Sequence, residues 1–363
     1  MQDSELIGIE VKMRDMSCSS VLVTGAAGFI GGFLCKRLIE DGVQLVVGID
    51  NMNNYYDPKI KEARLEMIRE ADESGAFSFV RGDITDSGLV ERLFFEYKFD
   101  VVINLAAQAG VRYSIDNPGV YIESNLIGFF NILECCRHHA VKHLVYASSS
   151  SVYGGNKKVP FSEDDRVDSP VSLYAATKKA NELMAHAYSK LYSIPVTGLR
   201  FFTVYGPMGR PDMAYFGFTE KLRNGETIKI FNMGNCKRDF TYIDDIVEGI
   251  VRVMENAPVV EIGDDGLPLP ACRVYNIGNN EPENLLDFVD TLQRVLVEEG
   301  VLPHEYDFES HRELVPMQPG DVPVTYADTT LLQRDAGFKP STKLEDGLRA
   351  FAVWYKRFYM DID

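Results

Sequence analysis

What this sequence is short of narrows its role before any motif is read. Its six cysteines (Cys18, Cys35, Cys135, Cys136, Cys236 and Cys272) contain no C-x-x-C pair, and its six histidines form no ligand array with them. Neither a disulfide scaffold nor a metal centre is expected, and no metal ligand is assigned. Basic residues are outnumbered, 37 Lys and Arg against 54 Asp and Glu, for a formal charge of −17. Non-specific binding to nucleic acid or to an anionic membrane therefore lacks the positive surface it requires. No apolar run approaches the ~20 residues of a membrane span. The first twenty residues alternate charged and apolar side chains where a secretory signal has an apolar block, so a cytoplasmic location and a tail over residues 1–20 are expected.

What is present is a regular alternation. The β-branched runs "VLVTG" (21–25), "QLVVGID" (44–50), "FSFVRGD" (77–83), "VVINLAA" (101–107), "HLVYASS" (143–149) and "VTGLRFF" (196–202) are separated by helical periodicity. That is the pattern of an α/β fold with a doubly wound, Rossmann-type parallel sheet, its strands apolar almost throughout, as expected when both faces are covered. Ile30, Leu34 and Leu38 recur every four residues between the first two runs, and Gly42 is placed to end that helix in a left-handed cap. After about residue 200 the rhythm breaks. A cofactor-binding domain over 21–200 and a smaller α/β substrate lobe over 201–363 are expected, with 243–255 and 273–279 able to return to the first domain. An acidic, proline-rich insertion, "PVVEIGDDGLPLPAC" (258–272), belongs on the surface.

"TGAAGFIG" places Gly25, Gly28 and Gly31 directly after a strand and at the start of a helix. A tight turn, a backbone able to approach a pyrophosphate and a helix N terminus aimed at it are what a dinucleotide needs. Asp50, at the end of the next strand, suits a ribose diol and repels a 2′-phosphate, which favours NAD over NADP; as a structural residue it would cap the following helix. Asp83 ends the third strand, where adenine would lie, and "NLAAQAG" (104–110) offers small residues near a nicotinamide ribose.

Tyr174 and Lys178 are four apart in "SLYAATKKANELMAHAY" and share one helix face. A phenol with an ordinary pKa near 10 acts as a base at neutral pH only when a cation favours its phenolate, and Lys178 is the cation the spacing offers. The serine run of "YASSSSVYGG" closes the fifth strand, which puts hydroxyls rather than a linker at the sheet edge. Ser149 can then donate to the oxygen that Tyr174 deprotonates.

Together with "LAAQAGVRYS", "RFFTVYGP", "RDFTYIDD" and "QPGDV", these segments resemble the extended short-chain dehydrogenase/reductase family, specifically its NAD-dependent nucleotide-sugar epimerases and dehydratases, from about Val21 to the C terminus. The resemblance implies Ser149, Tyr174 and Lys178 as the catalytic trio and a tightly held, recycled NAD. Its cofactor contacts map onto Gly25, Gly28, Phe29, Ile30, Gly31, Asp50, Asp83, Ile84, Ala106, Ala107, Gln108, Tyr174 and Lys178. Dehydratases look like Asp-Glu after the catalytic Ser or Thr, and glucuronate decarboxylases carry a Glu; here Ser150 and Ser151 stand there, which leaves reversible oxidation, hence epimerisation.

"RFFTVYGPMGRPDM" (200–213), with Thr203 where many relatives have Asn, resembles the branch acting on UDP-glucuronate at C4. A guanidinium at Arg210 could pair with the sugar carboxylate, and Arg112 is the rival. By the same resemblance Arg238 would hold the diphosphate and Asp321 the uridine ribose. Phe231 lies beside the uracil or is a buried strand residue. The expected reaction interconverts UDP-glucuronate and UDP-galacturonate without loss of CO₂. A UDP-hexose 4-epimerase for neutral sugars and a catalytically silent NAD-binding regulator are the alternatives. A homodimer is expected through the apolar stretch 120–136, which would look the same as a core helix.

Overall fold

The structure is a computed structural model that describes residues 19–317 and 323–361. The six apolar runs become strands β1 (Ser20–Thr24), β2 (Leu45–Asp50), β3 (Phe77–Arg81), β4 (Val101–Asn104), β5 (His143–Ser149) and β6 (Val196–Phe201). They are followed by β7 (Thr203–Tyr205), β8 (Ile228–Ile230), β9 (Lys237–Tyr242), β10 (Cys272–Ile277), β11 (Pro282–Asn284), β12 (Arg312–Leu314) and β13 (Val324–Thr325). The first six and β10 form one seven-stranded sheet in the order β3-β2-β1-β4-β5-β6-β10. Every pairing in it is parallel. The strand order reverses between β1 and β4, and that crevice at the carboxyl edge is where open α/β sheets bind ligands.

Two cores sandwich the sheet. On one side the helix Phe29–Glu40 buries Leu34, Cys35 and Leu38 against Val21 and Val23 and stops at Gly42, where φ is +78°. The helix Ile243–Glu255, reached only after the chain has left the sheet, returns to this same core through Ile246, Val247 and Ile250. On the other side, Val90 and Phe94 pack with Phe129, Ile132 and Ala185.

A second lobe surrounds β9, which pairs in parallel with β7 and β13 and antiparallel with β11, while β8 and β12 form a separate parallel pair. Aromatic packing holds it: Phe240 stacks on Phe288 with ring centroids 4.4 Å apart, and Tyr205, Tyr215 and Phe351 are buried around them. Only Phe202 separates β6 from β7. The chain thus steps from the first sheet into the second lobe within one residue, and the loop after β7 is carried directly to the sheet's carboxyl edge. Among the described residues no helix is long and apolar enough to cross a membrane. The segment 258–270 is a surface hairpin that exposes Val259, Ile262 and Leu267.

Candidate active site

At the end of β1, Gly25 takes φ +71°, and its N–H donates to the Ile49 carbonyl at 2.8 Å. A Cβ at Gly28 would lie 2.8 Å, and one at Gly31 2.1 Å, from the Gly25 carbonyl oxygen, so this turn is closed to side chains. The helix that follows has Gly28 as its N-cap, no capping side chain and no acid in its first turn. Its unspent N–H groups and dipole suit a pyrophosphate, and this side-chain-free cradle fits a dinucleotide. Phe29 and Ile84 are each only 5% exposed, their side chains packed into the two cores; what they can offer a cofactor is backbone. Ile30 is half-buried beside them.

Asp50 lies 8% exposed at the end of β2 and accepts from Ala27 N at 3.2 Å and Met52 N at 2.8 Å. The buried Lys61 ammonium stands 3.6 Å away. Asp83 accepts from Asn51 Nδ2 (2.7 Å) and from the Thr85 backbone and hydroxyl, which hold its carboxyl below the ordinary range in spite of burial. Ala106 N donates to Thr24 Oγ1 at 3.0 Å, and Ala107 is half-buried beside it. Gln108 is pinned through its backbone: its N–H donates to Asn125 Oδ1, and Asn125 Nδ2 returns a bond to its carbonyl. Asn125 sits in a π-helical turn, Ile122–Gly128, a rare geometry with no sequence signature that often marks functional sites.

Alternation along β5 separates two serines. Ser148 points away and donates to Glu182 Oε1 at 2.7 Å, where Arg200 also grips that carboxylate with both prongs, at 2.8 and 2.9 Å. Ser149 faces the crevice, 8% exposed, and its hydroxyl accepts from Ser151 N at 3.2 Å; Ser150 and Ser151 form a 3₁₀ turn beside it. Tyr174 is the second residue of the helix Leu173–Tyr192, whose N-cap Ser172 accepts from Ala175 N. Burial raises the Tyr174 phenol above its ordinary pKa; a hydrogen bond with Ser149 and the charge of Arg210 pull it down, and Asp212 pushes it up. Lys178, one turn along and 3% exposed, donates to the Ala147 carbonyl at 2.9 Å, and burial brings its ammonium down to about 8. Lys178 thus lies on the same helix one turn beyond the phenol, and Arg210, from a different segment, adds a second positive charge that favours the phenolate.

Arg210 lies in the loop after β7. That loop starts at Gly206 (φ +144°) and passes Met208 (φ +53°), a strained value for a side-chain-bearing residue. Arg64 holds it there. Fully buried, Arg64 donates to the Met208 carbonyl from Nε (3.0 Å) and Nη2 (2.6 Å), and to the Ala27 carbonyl (2.8 Å) and Tyr56 OH (2.7 Å) from Nη1. Arg210 itself pairs with Asp212 through Nε (3.0 Å) and Nη2 (2.6 Å). Thr203, half-buried, opens β7.

Arg112 is exposed and lies over the Phe231 ring at 5.4 Å. Phe231 is half-buried in a 3₁₀ turn after β8, not inside a strand. Arg238, in β9, donates to the Lys237 and Pro323 carbonyls. Asp321 lies outside the described residues. Sequence reasoning missed Asp212, which the spacing Arg210-x-Asp212 offered, and Tyr55 and Arg64, which carry no local signal.

Three comparisons bear on this geometry. Residues 21–278 match the NAD dependent epimerase/dehydratase family. The chain is 46% identical over 345 residues to a probable UDP-glucuronate 4-epimerase of Rhizobium meliloti, covering 93% of this chain and 97% of that protein. It is 47% identical over 355 residues to UDP-glucuronate 4-epimerase 2 of Arabidopsis thaliana, covering 96% and 78%. Among solved structures it resembles the UDP-glucuronic acid 4-epimerase of Bacillus cereus in complex with UDP-glucuronic acid and NAD, with a TM-score of 0.80 and 33% identity over 94% of this chain and all of that one.

Proposed function

The chain belongs to the NAD dependent epimerase/dehydratase family, and from that premise we propose that it is a UDP-glucuronate 4-epimerase, interconverting UDP-glucuronate and UDP-galacturonate without decarboxylation. Relatives and a solved structure bearing that activity in their names support the reading. The observation that carries it is Arg210, held along one edge of its guanidinium by Asp212 and still partly accessible, on a loop whose charge bears on Tyr174, in a site where Ser150 and Ser151 follow Ser149. Asp212 occupies one edge of the guanidinium, and a neutral hexose would offer the other edge no carboxylate.

NAD, when bound, supplies the acceptor to which the C4 hydride passes and from which it returns. Its site is the side-chain-free turn at Gly25, Gly28 and Gly31, with Asp50 on the ribose and Asp83 near the adenine. Ser149 donates to the C4 oxygen and Tyr174 removes its proton, giving it back when the alcohol re-forms. Lys178, buried and one turn away, holds positive charge beneath the site. Arg238 anchors the diphosphate while the 4-keto sugar turns over its other face, so the nucleotide end is held and the sugar end is free to take two poses. No acid stands at position 150 or 151 to carry out further proton chemistry.

The 4-keto uronate is a β-keto acid, and it loses CO₂ when its C5–carboxylate bond aligns with the carbonyl π system. Arg210, helped by Thr203 and the hydroxyls of Ser150 and Ser151, keeps that bond near the carbonyl plane. The enzyme works as a cytoplasmic homodimer. Exposed Ile127 and Phe130 on the helical stretch 118–138, and Leu183 and Leu191 on the helix Leu173–Tyr192, support the pairing.

The test is direct. Purified protein incubated with UDP-glucuronate and no added reductant yields UDP-galacturonate and no trapped CO₂. A UDP-pentose with CO₂, or turnover of UDP-glucose alone, would overturn the assignment.

A further inference from the structure

We propose that Asp212 is the positioning residue of the sugar site, fixing the Arg210 guanidinium for the substrate carboxylate and offsetting the positive charge that Arg210 places on Tyr174. The proposal rests on the reading of the protein as a UDP-glucuronate 4-epimerase.

Local sequence creates the pair. Arg210-Pro211-Asp212-Met213 is a tight turn closed by Met213 N–H donating to the Arg210 carbonyl at 3.1 Å. Proline at its second position pre-sets the backbone, and both side chains emerge on one side. Asp212 takes the side-on edge of the guanidinium, Nε at 3.0 Å and Nη2 at 2.6 Å. Among the described residues nothing accepts from Nη1, and Arg210 keeps 26% of its side chain accessible. An arginine offers five donors in a rigid plane. One carboxylate on the side edge leaves the Nη1–Nη2 end free for a second, so Asp212 does not compete with a sugar carboxylate; it decides which way the free end faces.

Asp212 is itself held. Tyr55 OH donates to its Oδ2 at 3.3 Å, and the Tyr55 ring packs edge-on against Tyr113 at 4.9 Å. From there rings continue through Tyr121 to Tyr174, with centroids 6.3 and 6.0 Å apart. Tyr55 follows Asn51, Met52 and Asn53 in the segment after β2, so the wall orienting Arg210 is anchored beside the Asp50 end of the cofactor cleft. The ionised state of Asp212 is secured: burial would raise its pKa, but the charge and bonds of Arg210 hold it below the usual carboxylate range.

The electrostatic half follows from what faces the phenol. Ser149 meets Tyr174 from the end of β5, Tyr121 from the side, Lys178 lies one turn along the same helix, and Arg210 and Asp212 face it from the loop after β7. Arg210 favours the phenolate and Asp212 disfavours it. Activity of a base appears as pH rises through its pKa. Removing the Asp212 charge lowers that pKa and carries the acid limb of kcat/KM to lower pH, and removing Arg210 carries it up.

The experiment uses the full-length protein loaded with NAD and measures kcat, KM and released CO₂ for UDP-glucuronate from pH 5 to 9. Asp212→Asn keeps the shape but cannot accept two charge-assisted bonds, so KM rises about tenfold, CO₂ per epimerisation rises, and the acid limb moves down by about half a pH unit or more. Tyr55→Phe removes one bond from Asp212 and none of its charge; KM rises by a smaller factor and the limb stays in place. A folding defect cannot produce that split between the two variants, and if Asp212→Asn does not fold, Tyr55→Phe with KM unchanged overturns the proposal. An unchanged or lower KM for Asp212→Asn, or an acid limb that stays or moves up, overturns it as well. Wild-type protein that fails to epimerise UDP-glucuronate would instead refute the functional reading beneath it.

Discussion

Replacing Arg64 with methionine removes the link between the cofactor turn and the loop that carries Arg210, and its cost can be worked from the structure. The guanidinium is fully buried, and its hydrogen bonds go to the Ala27 and Met208 carbonyls, Tyr56 OH and, more weakly, the Gly209 carbonyl. Methionine fills much of the volume and still packs on Tyr56 and Phe29, whose rings lie 5.5 and 5.9 Å from the guanidinium carbon. Three well-bonded acceptors lose their donor, at ~1–3 kcal/mol each. Against this, a buried cation whose hydrogen bonds run only to carbonyls and a phenol disappears, and a desolvation cost of several kcal/mol goes with it. The balance is a loss of about 3 kcal/mol, which lowers Tm by roughly 4 °C in a chain of this size. Because the Ala27 carbonyl belongs to the cofactor turn, the rise in Tm on adding NAD also shrinks relative to the parent. Calorimetry with and without NAD reads both effects. A Tm within about 1 °C of the parent, with an equal response to NAD, would refute the reasoning.

Lys178→Met abolishes turnover, by at least about a hundredfold in kcat, yet stabilises the NAD-free protein at pH 7. Folding depresses this lysine from 10.5 to about 8, so its penalty is fully present below about 8 and is relieved as pH rises toward the unfolded value. Denaturant titration should show a gain of roughly 2 kcal/mol at pH 7, after the lost bond to Ala147, that vanishes above about pH 10; a loss at pH 7 would contradict this. Glu182→Ala strands the buried Arg200 and the Ser148 hydroxyl, at about 3–5 kcal/mol in the same titration, whereas replacing Glu182 and Arg200 together by apolar residues costs less. Phe130→Glu, placing charge on the exposed apolar face, should convert a dimer to monomer in sedimentation, and an unchanged mass would place the interface elsewhere.

The sheet was legible because its central strands are buried on both faces and read as largely apolar runs, and the half-buried edge strand β3 still carries Phe77, Phe79 and Val80. Even the return of Ile243–Glu255 shows in its apolar stripe of Ile246, Val247 and Ile250. The serine row could be placed at the end of β5 because no linker interrupts a βαβ unit there. Local spacing reaches less far when the decisive partner is remote in sequence. Tyr174 and Lys178 do share a helix, but the spacing does not reveal that the ammonium donates to the Ala147 carbonyl, or that the charge of Arg210, 36 residues beyond the tyrosine, also favours the phenolate. Arg64, in "KIKEARLEMI", reads as an exposed basic position on an amphipathic helix. It is buried because Gly32 leaves room for it, a Cβ there falling 3.1 Å from its own, and because carbonyls from two distant loops converge on it. The π-helical turn around Asn125 is set by tertiary hydrogen bonds to Gln108 and Thr177.

The central claim is that a hydride leaves C4 and returns to the same carbon. UDP-glucuronate carrying deuterium at C4 tests it: incubated in ordinary water with the NAD-loaded protein, it should give UDP-galacturonate that keeps its deuterium at C4, with none lost to solvent. Deuterium exchanged for solvent hydrogen at C4, or reduced nicotinamide accumulating in step with product, would contradict the account.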